Sequence, residues 1–293
     1  MPSRRHVARD ITYAHSAATK SGRAMIRIME NATGRLRMIK RADGYEYEVA
    51  NGRDFWSVMV ERYGLSLKVV GGSLDNIPAE GPVIMIANHP YGILDGLMMG
   101  HMLSERRDGD FRILANRVFR KAEDLNRIIL PISFDETKEA MKQNIATRKE
   151  SLSYLENGGA IGIFPGGTVS TAAKPFSHPM DPGWRSFAAR MVGKSDAAVV
   201  PVFFDGHTTR LFHIASHLHY TLRMGLLIRE FKKRVDTPVK VAIGEPIPRE
   251  KLDPLAKDAR GMMDFLRRST YELSPTPLRT DEYGFEFEDH WRA

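Results

Sequence analysis

The chain has 293 residues and no cysteine, and 43 Lys and Arg against 36 Asp and Glu give it a formal net charge of +7 at pH 7. Its length and 42% hydrophobic content suit one large α/β domain or two small ones. The lack of cysteine excludes disulfides, thiolate metal sites and a cysteine nucleophile. No apolar run reaches the roughly 18 residues of a membrane-spanning helix, and no secretory signal core is expected.

The first part of the chain is strongly basic. Residues 1–40 contain nine Lys and Arg against only Asp10 and Glu30, with apolar residues at partly helical spacing between them. We therefore predict that residues 1–60 form a basic, amphipathic helical segment that faces an anionic membrane surface. A helix packed on its own domain is the alternative interpretation.

Strands and helices alternate along the rest of the chain. Short apolar runs rich in β-branched residues predict buried strands over 82–88, 111–115, 128–134, 159–164, 197–204 and 239–243. Helices are predicted over 93–103, 137–157, 184–192 and 254–271. The pattern predicts an α/β fold with a mostly parallel sheet flanked by helices. We place this domain at 61–275 and an acidic tail at 276–293.

Several familiar motifs are absent. There is no G-x-S-x-G nucleophile elbow and no G-x-G-x-x-G dinucleotide fingerprint. Gly193-Lys194-Ser195 imitates the end of a phosphate loop, but Ala188 stands where that loop needs glycine. Four histidines between His207 and His219 leave a metallohydrolase open as an alternative, although Ile214 occupies the place of the zincin glutamate. No metal site is predicted.

The stretch from Asn88 to Gly96 carries the clearest chemistry. His89 stands where a buried strand ends, and Asp95 stands in the first turns of the next helix. A carboxylate beside one ring nitrogen fixes the tautomer, so that the other nitrogen can accept a proton. Because no Ser or Cys elbow accompanies the pair, the proton donor is expected to be a substrate hydroxyl. Helix capping by these two residues is the alternative interpretation.

Two more strand ends point to the same crevice. One buried strand ends in a glycine-rich turn, Phe164, Pro165, Gly166, Gly167 and Thr168, whose N–H groups can approach an oxyanion or a polar headgroup closely. Another runs through Val200, Pro201 and Val202 to the strand end at Asp205. Along the chain, the His89 block comes first, the glycine-rich turn second and the Val200–Val202 block third.

With these blocks, the chain resembles the lysophospholipid (glycerolipid) acyltransferase family over about residues 65–250. That family carries N-H-x4-D, F-P-E-G-T-R and V-P-V blocks, matched here by Asn88-His89 with Asp95, by the 164–168 turn and by Val200-Pro201-Val202. The resemblance implies transfer of a fatty acyl group from acyl carrier protein or coenzyme A to a hydroxyl of a lyso-lipid. It also implies His89 as general base, Asp95 as its orienting partner, and the turn near the acceptor; Asn88 and Pro201 are further expected substrate contacts.

The chain departs from the family pattern in the turn. Gly166 replaces the usual Glu, and Val169 replaces the Arg that suits a substrate phosphate. Four other cations are candidates to take the place of this Arg: Lys174, Arg117, Arg185 and Arg210. Of these, we expect Arg117 to contact the substrate. The His-to-Asp spacing is also one residue longer, as in a hemolysin-like and aminolipid subgroup. We therefore expect a lyso-aminolipid acceptor, such as lyso-ornithine or lyso-glutamine lipid.

Two alternatives remain open from the sequence. The acceptor can instead be 1-acylglycerol-3-phosphate in phospholipid synthesis, or the protein can be a non-enzymatic basic protein that binds lipid or nucleic acid. No aromatic-interleaved basic strand supports nucleic acid as a partner. The expected partners are an acyl thioester of acyl carrier protein or coenzyme A, a lyso-lipid and an anionic membrane surface, with no cofactor. Arg229 to Arg234 would dock the acidic carrier, and a peripheral position on the cytoplasmic face of the bacterial inner membrane is expected.

Overall fold

The protein is built around a seven-stranded sheet, seen in a computed structural model that describes residues 12–17, 19–116, 119, 123–133, 137–174 and 176–287. In spatial order the strands are β1 (Ser66–Gly72), β9 (Pro238–Ile243), β8 (Ala198–Asp205), β2 (Val83–Ala87), β5 (Ala160–Ile163), β3 (Phe111–Asn116) and β4 (Ile129–Ile132). All neighbours are parallel except β8 and β9. The predicted mostly parallel α/β fold is therefore confirmed.

Helices pack on both faces of this sheet, and a short hairpin of β6 (Thr171–Ala172) and β7 (Pro179–Met180) lies beside it. The helices before β1 are α1 (Lys20–Thr33), α2 (Arg35–Ala42), α3 (Tyr45–Ala50) and α4 (Phe55–Arg62). The later helices are α5 (Ile93–Arg107), α6 (Glu123–Asn126), α7 (Lys138–Glu156), α8 (Phe187–Val192), α9 (Arg210–Leu218), α10 (Tyr220–Arg234), α11 (Arg249–Leu252) and α12 (Ala259–Tyr271). Among the described residues, no helix is long and apolar enough to cross a membrane.

The core explains why the central strands are apolar throughout. All five residues of β2 are buried because both of its faces are covered. Met85 on one face packs with Met98 and Met99 of α5, and Ile84 on the other packs with residues of α8 and α12. Met98 and Met99 thus belong to the core.

The N-terminal helices are present, and α1 packs against α10. The Thr19 side chain accepts a hydrogen bond from the Gly22 N–H and so begins α1. Its buried Glu30 accepts hydrogen bonds from the Thr12 hydroxyl and the Tyr13 N–H. One face of α1 is therefore anchored to the rest of the protein. A membrane-facing role for residues 1–60, the boundary at residue 60 and the tail at 276–293 stay predictions, and residues 1–11 and 288–293 lie outside the described residues.

Some elements differ from the expectation. The edge strand β1 and the helices α9 and α10 were not predicted; β1 is mostly exposed and ends in glycine, so it lacks the apolar run of a buried strand. The predicted helix over 184–192 begins only at Phe187. The predicted helix over 254–271 begins at Ala259, because Asp258 caps it after a 3₁₀ turn over Asp253–Leu255.

Candidate functional site

Three neighbouring parallel strands end at one edge of the sheet. His89 follows β2, Phe164 follows β5, and Asp205 closes β8; β2 lies between the other two. The carboxyl ends of parallel strands meet at the same edge, which is where open α/β sheets bind their ligands. The predicted convergence of the His89 block and the glycine-rich turn is therefore seen.

The His89 imidazole faces the Asp95 carboxylate. Nδ1 of His89 lies 3.0 Å from Oδ2 of Asp95, although the approach is bent and not that of a well-aligned hydrogen bond. Such contacts often straighten only when substrate is bound. Asp95 is fully buried while the His89 side chain is partly exposed. Nε2 is therefore the ring nitrogen available to a substrate.

The loop between these two residues explains how Asp95 reaches back. Gly92 has a φ of +75°, and a Cβ there would lie 2.8 Å from the Tyr13 hydroxyl. This conformation lets Oδ2 of Asp95 accept hydrogen bonds from the Tyr91 N–H at 2.7 Å and the Gly92 N–H at 3.0 Å. Burial raises the pKa of Asp95, whereas His89 and the two N–H groups act in the opposite direction.

The glycine-rich turn supplies an aromatic support for the imidazole. The Phe164 ring stacks on the His89 ring with centroids 4.3 Å apart and planes inclined by 27°. The turn closes through the Gly167 N–H, which donates to the Phe164 carbonyl at 3.1 Å, and Gly167 has a φ of +68°. Further along, the Ser170 N–H donates to the His89 carbonyl at 2.8 Å. The turn and the His89 loop therefore hold one another in place.

Two expected contact residues are engaged by neighbouring strands of the sheet. The Asn88 amide is engaged at both ends by β8: it donates to the Phe204 carbonyl at 3.0 Å and accepts from the Phe204 N–H at 2.7 Å. Pro201 pairs with Ile86 in the middle of β8, three residues before His89 in register. Asn88 therefore joins two strand ends and Pro201 belongs to the strand interior. Their part in substrate binding stays a prediction.

Asp181 is a site residue that the sequence did not reveal. Its buried carboxylate accepts hydrogen bonds from the His89 N–H at 3.2 Å, from the Trp184 Nε1–H at 2.9 Å and from the Ser170 hydroxyl. A Cβ added at Gly166 would lie 3.2 Å from the same carboxylate. Asp181 thus ties the two loops of the site together. In the sequence it reads only as part of an Asp-Pro-Gly turn, and no local pattern marks it.

A buried arginine also reaches the turn. Nη2 of Arg223, on α10, donates to the Thr168 hydroxyl at 3.0 Å and to the Val169 carbonyl at 2.8 Å. Within the part of the chain that the structure describes, no carboxylate lies at ion-pair distance from it, and burial lowers the pKa of Arg223 to about 9. Arg223 therefore brings a guanidinium from α10 next to Val169, the residue that replaces the expected Arg of the turn.

Three of the four cations proposed from the sequence fall among the described residues. Lys174 is exposed, and Arg210 donates to the Phe176 carbonyl at 3.3 Å. The Arg185 N–H donates to the Pro165 carbonyl at 3.0 Å, while its side chain lies 3.5 Å from Glu286. Arg117 lies outside the described residues, so its contact with substrate stays a prediction.

The histidines between 207 and 219 make hydrogen bonds within the protein. His213 contacts Thr208 through Nε2, and Nε2 of His217 lies 2.9 Å from the Ala172 carbonyl. Burial lowers the pKa of His213 to about 4. No group of three or more acidic or histidine side chains with metal-binding geometry occurs among the described residues.

The basic stretch at the end of α10 comes close to the site at one position. The Arg234 guanidinium lies 4.9 Å from the centre of the Tyr91 ring, and the Tyr91 N–H is one of the donors to Asp95. Arg229 pairs with Glu230 at 2.9 Å. Docking of an acyl carrier at this stretch stays a prediction.

Comparison with known proteins identifies the class. A family model described as Acyltransferase matches residues 68–205, which include the His89 block, the glycine-rich turn and β8. The chain is 23% identical over 228 residues to a lyso-glycine lipid O-acyltransferase of Phocaeicola vulgatus, with 76% of this chain and 78% of the relative covered. It is 24% identical over 229 residues to one of Bacteroides thetaiotaomicron, with 76% and 80% covered.

Among solved structures, a similar one is that of the 1-acyl-sn-glycerophosphate acyltransferase of Thermotoga maritima. It has a TM-score of 0.45 and 17% identity, with 87% of this chain and 98% of that chain covered. The matched residues and the strand-end site define an acyltransferase. Over these residues the chain is similar to the lysophospholipid (glycerolipid) acyltransferase family.

Proposed function

We propose that the protein transfers a fatty acyl group from an acyl thioester to the free hydroxyl of a lyso-aminolipid, with His89 as general base. The observation that carries the proposal is the His89–Asp95 pair, 3.0 Å apart, at a strand end inside the matched acyltransferase region. Both relatives are named for a lyso-glycine lipid acceptor. Lyso-glycine lipid is therefore the first acceptor to test, before lyso-ornithine and lyso-glutamine lipids.

The proposed reaction needs no covalent enzyme intermediate. Nε2 of His89 takes the proton from the acceptor hydroxyl as its oxygen attacks the thioester carbonyl carbon. Asp95 stabilises the imidazolium that forms. The tetrahedral intermediate then collapses, the carbon–sulfur bond breaks, and the leaving thiolate recovers the proton from the imidazolium. The products are an ester and a free thiol of coenzyme A or acyl carrier protein.

The turn favours an acceptor other than a phosphomonoester. Val169 cannot bind a phosphate, and the nearby guanidinium of Arg223 is occupied by hydroxyl and carbonyl oxygens of Thr168, Val169, Thr171 and Ser216. A phosphomonoester dianion in this place would lack the free bidentate partner that it requires. Support for an aminolipid acceptor thus comes from the relatives and from the turn together.

An acceptor competition tests the substrate class. The purified full chain is given an acyl donor, either acyl carrier protein or coenzyme A, with equal amounts of lyso-glycine lipid, lyso-ornithine lipid and lysophosphatidic acid, and the esters are measured by mass spectrometry. We expect preference for an amino-acid lyso-lipid. Strong preference for lysophosphatidic acid would instead establish the phospholipid alternative.

Replacement of the base tests the mechanism. His89→Ala should reduce transfer by about 10²–10⁴-fold or more while leaving the melting temperature near that of the wild type, because general-base catalysis contributes that much. His101→Ala, on α5 beyond Asp95, is the matched control and should stay active. A folded, fully active His89→Ala protein would exclude the catalytic assignment, and salt-sensitive lipid binding without any turnover would favour the non-enzymatic alternative.

The proposed place of action is the cytoplasmic face of the inner membrane, with the protein bound peripherally. A lyso-lipid acceptor is embedded in a leaflet, and the exposed basic residues of α1, Lys20 and Arg23 among them, suit an anionic surface. Lipid analysis of a strain that lacks the protein checks this role directly. One lyso-aminolipid should accumulate and its diacyl product should disappear; an unchanged lipid profile would contradict it.

A further inference from the structure

Helix α9 carries apolar side chains on both of its faces. Its inner side chains Phe212 and Ala215 are buried against α10. On its outer face Leu211 is 50% exposed, Ile214 36% and Leu218 69%. Their spacing of three and four residues places them in one stripe. A surface helix of a globular protein usually has polar residues on its outer face, whereas this stripe is apolar.

This helix lies over the continuation of the glycine-rich turn. His217 of α9 contacts the Ala172 carbonyl at 2.9 Å, and Ala172 follows the turn by four residues. At the other end of α9, Arg210 donates to the carbonyl of Phe176, a residue that is 74% exposed and whose ring centre lies 5.7 Å from the guanidinium. Phe176 therefore extends the apolar surface next to the segment that leads out of the site.

Within its own two segments this surface carries charge of one sign, while Asp205 and Glu282 act on His178 from neighbouring segments. The two segments that build it, 157–180 and 206–229, contain no Asp or Glu. Among the described residues of this surface, Lys174 and Arg210 are exposed cations. A cavity of about 170 Å³ at the beginning of α9 is lined by Phe176, Ser177, His178, Pro179, His207, Arg210 and His213. An apolar stripe next to basic and histidine side chains is complementary to the interface of an anionic bilayer.

We propose that the outer face of α9, together with Phe176, is the bilayer-docking surface of this enzyme. Leu211, Ile214, Leu218 and Phe176 enter the acyl region of an anionic leaflet, and Arg210 with the histidine-lined cavity meets a lipid phosphate. This inference rests on the proposed function insofar as the acceptor is a membrane lipid. It places the leaflet beside the turn and adds a second contact to the basic N-terminal helices.

Vesicle binding tests the surface without requiring turnover. Phosphatidylcholine vesicles with and without phosphatidylglycerol are floated with the wild type and with a Leu211→Glu/Leu218→Glu double variant. The variant should lose at least about tenfold in partitioning to the anionic vesicles, because it removes apolar insertion and adds repulsion. Ile145→Glu is the matched control: Ile145 is 63% exposed on α7 and should not affect binding. Wild-type binding by the folded double variant, or equal binding of the wild type to neutral vesicles, would overturn the proposal.

Two further measurements separate docking from catalysis and folding. The double variant should keep wild-type transfer to a short-chain, water-soluble acceptor and lose it with a vesicle-embedded acceptor. Absence of transfer to either acceptor by the wild type would count against the proposed function and not against docking. If the double variant does not fold, Leu218→Trp reports insertion by a blue shift of its fluorescence on anionic vesicles, with Ile145→Trp as control. No shift at residue 218 would overturn the proposal.

Discussion

Two buried carboxylates lie on either side of His89, and they act on different parts of it. Asp95 faces the ring, with Oδ2 3.0 Å from Nδ1. Asp181 accepts a hydrogen bond from the main-chain N–H of the same residue at 3.2 Å. One carboxylate therefore contacts the imidazole, while the other holds the backbone that carries it against the glycine-rich turn.

The two carboxylates also differ in how far their oxygens are satisfied. Both oxygens of Asp181 accept hydrogen bonds, from Ser170 and His89 on one and from Trp184 on the other. Oδ1 of Asp95 has no hydrogen-bond partner among the described residues. A buried, incompletely paired carboxylate gains more from a neighbouring positive charge. Asp95 thus suits a partner that becomes charged, as His89 does in the proposed reaction, and Asp181 suits a permanent structural contact.

The largest expected effect on activity comes from replacing Asp95, the carboxylate beside the His89 ring. Asp95→Asn keeps an amide oxygen at the position of Oδ2, which accepts from the Tyr91 and Gly92 N–H groups and faces Nδ1 of His89, but it removes the negative charge that would stabilise the imidazolium. We expect kcat/KM to fall by about 10²–10⁴-fold with a small change in melting temperature. Asp75→Asn, an exposed carboxylate paired with Arg106, is the control. Activity within a few fold of wild type would remove Asp95 from the mechanism.

Replacing Asp181 should lower the stability of the protein more than its activity. Asp181→Ala leaves three buried donors without their acceptor, so the free energy of unfolding should fall by about 3 kcal/mol. Chemical denaturation measures this, and Asp75→Ala should change it by much less. Asp181→Asn should restore part of the stability and most of the activity. A stable Asp181→Ala protein without activity would instead indicate a direct catalytic role.

A smaller effect is expected on the free energy of unfolding at acid pH. Burial lowers the pKa of His213 from 6.5 to about 4, so the unfolded chain binds the proton more readily than the folded one between these values. Stability is complete above the unfolded pKa and falls as pH falls towards 4. From about pH 7.5 to about pH 5 the loss is roughly 2 kcal/mol. His213→Gln should remove it, and exposed His178→Gln should remove less; identical pH profiles for wild type and His213→Gln would contradict the assignment.

The smallest expected effect concerns the stacked ring. Phe164→Leu keeps an apolar contact but removes the aromatic stacking on His89, which is worth about 0.5–1.5 kcal/mol. kcat/KM should therefore fall about 2- to 10-fold, with the loss in kcat. Phe55→Leu, in the aromatic cluster of α4, should leave kcat unchanged. A loss as large as that of Asp95→Asn would mean that the Phe164 ring, and not the carboxylate, orients the imidazole.

The sequence allowed the contact of Asp95 with the His89 ring to be predicted, but not the contact of Asp181 with the His89 backbone. His89 and Asp95 are six residues apart on one strand-to-helix connection, so local spacing already indicates that they can meet. Asp181 is separated from His89 by 92 residues and acts through a main-chain N–H that any residue would present. Arg223 likewise sits within a helix that was not predicted. Neither has a local pattern that distinguishes it from other charged residues.

By itself, the sequence determined the alternation of buried strands and helices, the edge at which the loops converge, and the His89–Asp95 block, because each depends on short-range periodicity or spacing. Only the tertiary structure decided that Phe164 stacks on the imidazole, that Asp181 joins the two loops, that Arg223 stands where the turn lacks its arginine, and that α9 exposes an apolar face. These features depend on contacts between segments distant along the chain. Such contacts arise when the sheet and its covering helices assemble, and local sequence patterns do not specify them.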